Sequence, residues 1–160
     1  MLRPLTPDDT DGLVELTAGT GFFKSFELDT LREVLDDFHA GNNDLGHRAF
    51  GWDEGGRLIG YTYHAPVAMT DRGWNLYWIA VAKDRQGGGV GGRLLEFVEQ
   101  DVREQGGRLL LIETSSTAHY APTRRFYLKA GYTLAATVAD YYADGDGLVI
   151  FSKRVGAVRA

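Results

Sequence analysis

The sequence predicts an α/β (α+β) domain built on a mixed, mostly antiparallel central sheet of about seven strands flanked by about four helices. Three observations predict it. Apolar residues recur with a period of about two in some stretches and about 3.6 in others. Glu54-Gly55-Gly56 and Ala143-Asp144-Gly145-Asp146-Gly147 each separate two strand-like runs. A glycine-rich stretch, Gln86–Arg93, joins an apolar strand to an amphipathic helix.

Leu2–Leu5 reads as a short first strand. Thr6-Pro7-Asp8-Asp9 starts a helix, with Thr6 as N-cap, Pro7 in the first helical position and acids in the first turn. Leu13, Val14 and Leu16 form its apolar face, and Gly19-Thr20-Gly21 ends it. Phe22, Phe23 and Phe26 follow in a loop around Lys24, either as core plugs or as the wall of a ligand pocket. Leu28, Leu31, Leu35 and Phe38, with Val34 beside them, recur at helical spacing, and Gly41 stops that helix. His39 and His47 lie near the polar loop Asn42–Gly46. Without a clustered carboxylate they read as surface residues rather than metal ligands.

Arg48–Asp53 and Arg57–Met69 read as a strand pair, with Tyr61, Tyr63 and Ala65 on one face and Thr62 and His64 on the other. Asp71-Arg72-Gly73 turns the chain into Trp74–Ala82, a nearly continuous apolar strand of the kind covered on both faces. After the glycines, Val90, Leu94, Val98 and Val102 form one helical stripe with Leu95 adjacent, and Glu99 and Arg103 read as an outward i,i+4 pair. Gly106-Gly107 stops the helix. Arg108–Thr114 is a strand, Ser115–Ala121 a polar loop, and Pro122 opens a helix that reaches Ala130 and carries Phe126 and Tyr127. Gly131 closes it, and Tyr132–Tyr142 with Leu148–Val155 makes the last strand pair.

The 160 residues fit one domain, 1–160, with no internal repeat or linker. The chain is 44% hydrophobic and 24% charged, an ordinary globular balance. No apolar run approaches the roughly 20 residues that span a membrane, and Met1-Leu2-Arg3-Pro4 begins no secretory signal pattern. The absence of cysteine excludes a thiol nucleophile, a disulfide frame and a cysteine–zinc site, and is compatible with a cytoplasmic location. With a net charge of -5 and no basic patch, the composition argues against nucleic acid as a partner and tolerates a cationic amine.

Gln86-Gly87-Gly88-Gly89-Val90-Gly91-Gly92-Arg93 carries the chemistry. Glycines free of side chains at a helix N-terminus let consecutive N–H groups converge on a phosphate or pyrophosphate. The alternative is a glycine-rich turn with no ligand. A P-loop would need Gly-Lys-Ser/Thr, but here Gly92 is followed by Arg93-Leu94. A dinucleotide fold would place its glycines after the first strand, not after a long prelude of antiparallel strands.

The stretch Gln86-Gly87-Gly88-Gly89-Val90-Gly91 resembles the Q/R-x-x-G-x-G/A signature of the GCN5-related N-acetyltransferase (GNAT) superfamily. Phe126-Tyr127-Leu128-Lys129-Ala130-Gly131-Tyr132 looks like that family's later Y-x-x-x-G-F/Y segment. The likeness covers essentially the whole chain, most specifically residues 77–132. It implies a GNAT-like fold and acetyl-CoA as co-substrate, with no metal. By the resemblance, the pyrophosphate lies on N–H groups of Gln86, Gly87, Gly88, Gly89, Val90, Gly91 and Gly92. The backbone of Ile79, Ala80 and Val81 meets the pantetheine arm in a splay between the fourth and fifth strands. Arg93 either screens phosphate charge or is a surface arginine.

The implied reaction is direct attack of a primary amine, of a small molecule or a peptide, on the thioester in a ternary complex. The Val81 N–H polarises the carbonyl. Tyr127 protonates the departing sulfur or only packs on the coenzyme. Glu113 is the candidate base, its affinity for protons raised by partial burial; otherwise it ends the strand or pairs with Arg124 or Arg125. The family's other base position falls on Asn75, which cannot take a proton but can hold a water. The family's pantetheine-binding asparagine falls on Tyr120, with Ser115, Ser116 or Thr117 as substitutes. Tyr141 and Tyr142, with Asp140, Asp144 and Asp146, either border a cationic acceptor or form a polar hairpin end. Edge strands at the C-terminal end, and the habit of many relatives, point to a homodimer. A domain of this fold that binds acyl-CoA without turnover, as a sensor or partner module, is the competing reading.

Overall fold

The computed structural model describes residues 1–157. Among them are seven strands and four α-helices. The strands are β1 (Leu2–Pro4), β2 (Arg48–Glu54), β3 (Arg57–Pro66), β4 (Gly73–Val81), β5 (Leu109–Ser115), β6 (Thr133–Ala143) and β7 (Asp146–Arg154). The helices are α1 (Thr10–Gly19), α2 (Ser25–Ala40), α3 (Val90–Glu104) and α4 (Ala121–Lys129). The sheet order is β1-β2-β3-β4-β5-β7-β6. β4 and β5 run parallel, while β1–β2, β2–β3, β5–β7 and β6–β7 run antiparallel. The expected mixed, mostly antiparallel sheet is present.

The chain divides into two compact units. The first comprises Met1–Ala65 with Trp78–Val98, and the second Pro66–Tyr77 with the chain from Glu99 onward. In the first unit, Leu31, Leu35 and Phe38 of α2 and Leu13 of α1 pack on Ala49, Tyr61, Tyr63 and Ala80. The periodicity of α2 therefore reads correctly. The buried Thr17 hydroxyl donates to the Leu13 carbonyl at 2.7 Å, so the Tyr61 hydroxyl donates to Thr17, also at 2.7 Å. A second cluster joins Ile59, Val90 and Leu94. Gly60 makes this approach possible: a Cβ there would lie 2.9 Å from Leu94 Cδ1 and 3.1 Å from the Ala80 carbonyl oxygen.

Several local expectations are corrected. Thr6-Pro7-Asp8-Asp9 first forms a 3-10 turn, its Asp9 carboxylate accepting the Thr6 N–H at 2.7 Å, before α1 begins. Phe26 lies in the first turn of α2 and is 63% exposed, so it is neither in a loop nor a core plug. Phe23 packs on Trp78 with ring centroids 5.6 Å apart. β3 stops at Pro66 rather than Met69, because Thr70 caps the turn: its hydroxyl donates to the Val67 carbonyl and accepts the Gly73 N–H. His47 is half-buried rather than on the surface, 2.6 Å from the Tyr63 hydroxyl through Nδ1, and burial lowers its pKa.

In the second unit, β4 and β5 pair from Gly73↔Leu109 to Leu76↔Ile112, and β5 pairs in turn with β7 from Leu109↔Arg154 to Ser115↔Leu148. Leu110, Ile112, Leu148, Val149 and Phe151 are buried. Glu99 is the main correction here. It does not face outward with Arg103, whose guanidinium is 3.9 Å away, but is 6% exposed and accepts bonds from Lys153 Nζ at 2.8 Å and the Tyr132 hydroxyl at 3.0 Å.

Candidate active site

The glycine stretch lies where the sequence places it, between the end of β4 and the start of α3. Gly87 and Gly89 have φ of +81° and +85°, which side-chain-bearing residues adopt only with strain. Gln86 ties the loop to the strand by donating from Nε2 to the Val81 carbonyl at 3.1 Å. The Arg93 N–H reaches back to the Gly89 carbonyl at 3.2 Å. The N–H groups of Val90, Gly91 and Gly92 precede the first helical bond and so have no helical acceptor. They lie at the positive end of a 15-residue helix. A Cβ at Gly87, Gly89 or Gly92 would meet nothing within 4 Å. The surface over these glycines is therefore open, and the residues fit a pyrophosphate there.

Of the strand residues, Ala80 turns its side chain into the core, while Ile79 and Val81 pack against the Ile59 cluster. The side chains of all three are thus engaged in apolar packing. The Ala82 N–H is taken by the Ile59 carbonyl at 2.8 Å. Arg93 is exposed, with its guanidinium 5.7 Å from the Trp52 ring centre, so the side chain stacks on an aromatic face.

In the second unit, Tyr127 sits on α4 and is 4% exposed. Its ring packs against Phe126 at 5.3 Å, Phe151 at 5.6 Å and Tyr132 at 6.0 Å. Burial pushes its pKa up, so the phenol stays protonated across the neutral range. Among the described residues its hydroxyl has no hydrogen-bond partner, in contrast to Tyr61 and Tyr132.

Glu113 departs from expectation in one respect: it ends the apolar run of β5 but is exposed, not partly buried. On the exposed strand β6, the Tyr142 phenol is pushed up to about 12, first by partial desolvation and next by the Glu113 charge. Arg124 does not pair with Glu113; its guanidinium donates to the carbonyls of Ser115 at 2.8 Å and Thr117 at 2.7 Å. Asn75 has a buried Oδ1 with no protein partner among the described residues, as a water-binding acceptor would.

The candidate pantetheine-binding hydroxyls are engaged internally. Ser115 Oγ donates to Asp146 at 2.5 Å, and Ser116 Oγ accepts the Gly147 N–H at 2.7 Å. Thr117 Oγ1 is 2.9 Å from Ser115 Oγ. Tyr120 is half-buried beside His119, ring centroids 5.7 Å apart. Asp140 is likewise spent, accepting the Gly145 N–H at 2.7 Å. No group of histidine, cysteine or acidic side chains fit to hold a metal occurs among the described residues.

The sequence profile of the acetyltransferase (GNAT) family matches residues 15–132. A crystal structure from Desulfovibrio desulfuricans, assigned to the GNAT family of acetyltransferases, is 37% identical, with a TM-score of 0.93 over 97% of this chain and 98% of that one. A ribosomal-protein-alanine N-acetyltransferase from Brucella melitensis is 18% identical, with a TM-score of 0.79 over 96% of this chain and 99% of its own. An aminoglycoside 6'-N-acetyltransferase complexed with coenzyme A is 17% identical, with a TM-score of 0.75 over 100% of this chain and 99% of its own. At these identities the last two share the fold. No curated protein matches the chain.

Proposed function

This chain belongs to the GNAT family of acetyltransferases, and we propose that it moves the acetyl group of acetyl-CoA to the primary amine of a small molecule or peptide. We read it as one catalytic domain. Each compact unit is made of two chain segments, and both β4 and α3 pass from one to the other, so neither unit can be cut out as a continuous piece.

Gly87–Gly92 hold the pyrophosphate through N–H groups, and the backbone of Ile79–Val81 pairs with the amides of the pantetheine arm. The Val81 N–H polarises the thioester carbonyl. The amine nitrogen forms the new bond to the carbonyl carbon, and the carbon–sulfur bond breaks. The Tyr127 O–H gives its proton to the departing sulfur and regains one from solvent. The amine's proton passes to Glu113, directly or through a water held at Asn75 Oδ1.

The observation that carries this reading is Tyr127: its ring is buried, burial keeps its phenol protonated, and its hydroxyl makes no hydrogen bond among the described residues. A protonated phenol whose hydroxyl is not bonded within the protein is available to donate to a ligand atom. Thiol release from acetyl-CoA across a panel of amines tests the activity. Tyr127→Phe is expected to lower kcat by about 10²–10⁴-fold while leaving coenzyme binding near that of the parent. Full turnover by Tyr127→Phe removes the acid role, and coenzyme binding with no turnover for every amine identifies a sensor instead.

A further inference from the structure

Glu99, Lys153 and Tyr132 meet in the interior of the second unit. Lys153 Nζ donates to Glu99 at 2.8 Å and to the Ala130 carbonyl at 3.0 Å, and lies 5.3 Å over the Tyr132 ring. The Tyr132 hydroxyl donates to the other Glu99 oxygen at 3.0 Å. An ion pair with a buried carboxylate and a half-buried ammonium is poorly explained by stability, since apolar residues of similar size often serve as well. Its location supplies the explanation. Ala130 and Tyr132 flank the Gly131 turn that follows α4, the helix that carries Tyr127. The Tyr132 N–H donates to the Tyr127 carbonyl at 3.1 Å, and the Tyr132 ring meets the Tyr127 ring near edge-on.

We propose that Glu99, Lys153 and Tyr132 form a positioning cluster that holds the Tyr127 phenol in place for proton transfer to the leaving sulfur. The inference rests on reading Tyr127 as the acid. The Tyr127 hydroxyl has no protein bond of its own, so ring packing and backbone must place it, and Tyr132 touches both. Glu99 prevents Tyr132 from sliding, and Lys153 holds Glu99 and the end of α4 together. A displaced acid costs rate more than binding.

Tyr132→Phe tests this because it keeps the ring and deletes only the bond to Glu99. Steady-state rates with acetyl-CoA and an accepted amine are expected to show kcat reduced roughly tenfold, with the KM for acetyl-CoA within about twofold of the parent. In a Tyr127→Phe background the same change is expected to have no further effect on kcat. Lys153→Met is expected to act like Tyr132→Phe, and Lys153→Arg to restore the rate, which covers the case in which Tyr132→Phe does not fold. An unchanged kcat in a folded Tyr132→Phe or Lys153→Met variant overturns the cluster's role, as does an equal loss in both backgrounds. Failure of the acid reading looks different: Tyr127→Phe alone then keeps its turnover.

Discussion

The two compact units treat polar groups in opposite ways. In the first, the groups offered to a ligand belong to the backbone: three N–H groups at the start of α3 and the strand from Ile79 to Val81, with the side chains either absent as glycine or turned into apolar clusters. In the second, the groups assigned to the reaction in the proposal are side chains, Tyr127 and Glu113, and behind Tyr127 stands a largely buried network of three more. Under the proposed function, the difference follows from the chemistry each half would do. A pyrophosphate and an amide-rich arm vary little, so fixed backbone dipoles recognise them at no cost in side-chain ordering. Moving a proton needs a titratable group at a definite point, and that group needs support.

Removing the support should have the largest effect on this contrast. Glu99→Ala leaves the buried Tyr132 hydroxyl without an acceptor and the half-buried Lys153 ammonium with the Ala130 carbonyl alone, so urea denaturation is expected to show a loss of about 1.5–3 kcal/mol. Changing Glu99 and Lys153 together to methionine should recover most of that loss. A single change as damaging as the prediction, not rescued by the second, would mean that the site needs the charge itself.

The glycine half should respond more weakly and in two directions. Gly89→Ala forces alanine into the left-handed region and is expected to destabilise by about 1–2 kcal/mol. Gly92→Ala, inside α3 with open space around it, is expected to stabilise the free protein by about 0.5–1 kcal/mol. Both place a methyl group where the pyrophosphate would lie, so calorimetric titration with coenzyme A should show weaker binding for both. Unaltered affinity in Gly92→Ala would remove the glycines from the binding site. Glu113→Gln is the smallest perturbation: an exposed change expected to alter stability by less than about 0.5 kcal/mol. Its readout is the pH profile of kcat/KM, whose acid limb should disappear if Glu113 is the base and persist if it is not.

The same contrast decides what the sequence makes legible. The glycine loop, the Val90–Val102 stripe and the strand before them are local patterns, readable from spacing. Tyr127 and Gly131 are also local, and α4 begins and ends where proline and glycine mark it. The Glu99 cluster is not local: its partners lie 33 and 54 residues away, whereas the i,i+4 spacing shows only the weaker pair with Arg103, 3.9 Å away, and places it on the outside. A signal was present, because Glu99 is four residues after buried Leu95 and three before buried Val102, which puts it on the inner face of α3. Glu113 shows the converse. The end of an apolar strand is visible in sequence, but whether its terminal charge is covered depends on neighbours brought in by the fold. The turn before β4 begins earlier than the sequence suggests, at Val67 rather than after Met69, because Val67 and Met69 look like strand residues, whereas Thr70 is what holds the bend.

At one end of the sheet lies β6, eleven residues long and exposed throughout, with Leu134 and Val138 among them. A free, apolar edge of that length is a template on which another extended chain can grow a ladder. Its pairing with β7 slips twice, between Leu134 and Ala136 and again between Val138 and Ala143, and Asp140 has a φ of +56° inside the second slip. These irregularities break the row of outward N–H and C=O groups into short lengths, and place a carboxylate at the break. The hairpin thus carries its own guard against runaway strand addition, and straightening it by deleting residues at the second slip would be expected to leave a chain that folds but precipitates.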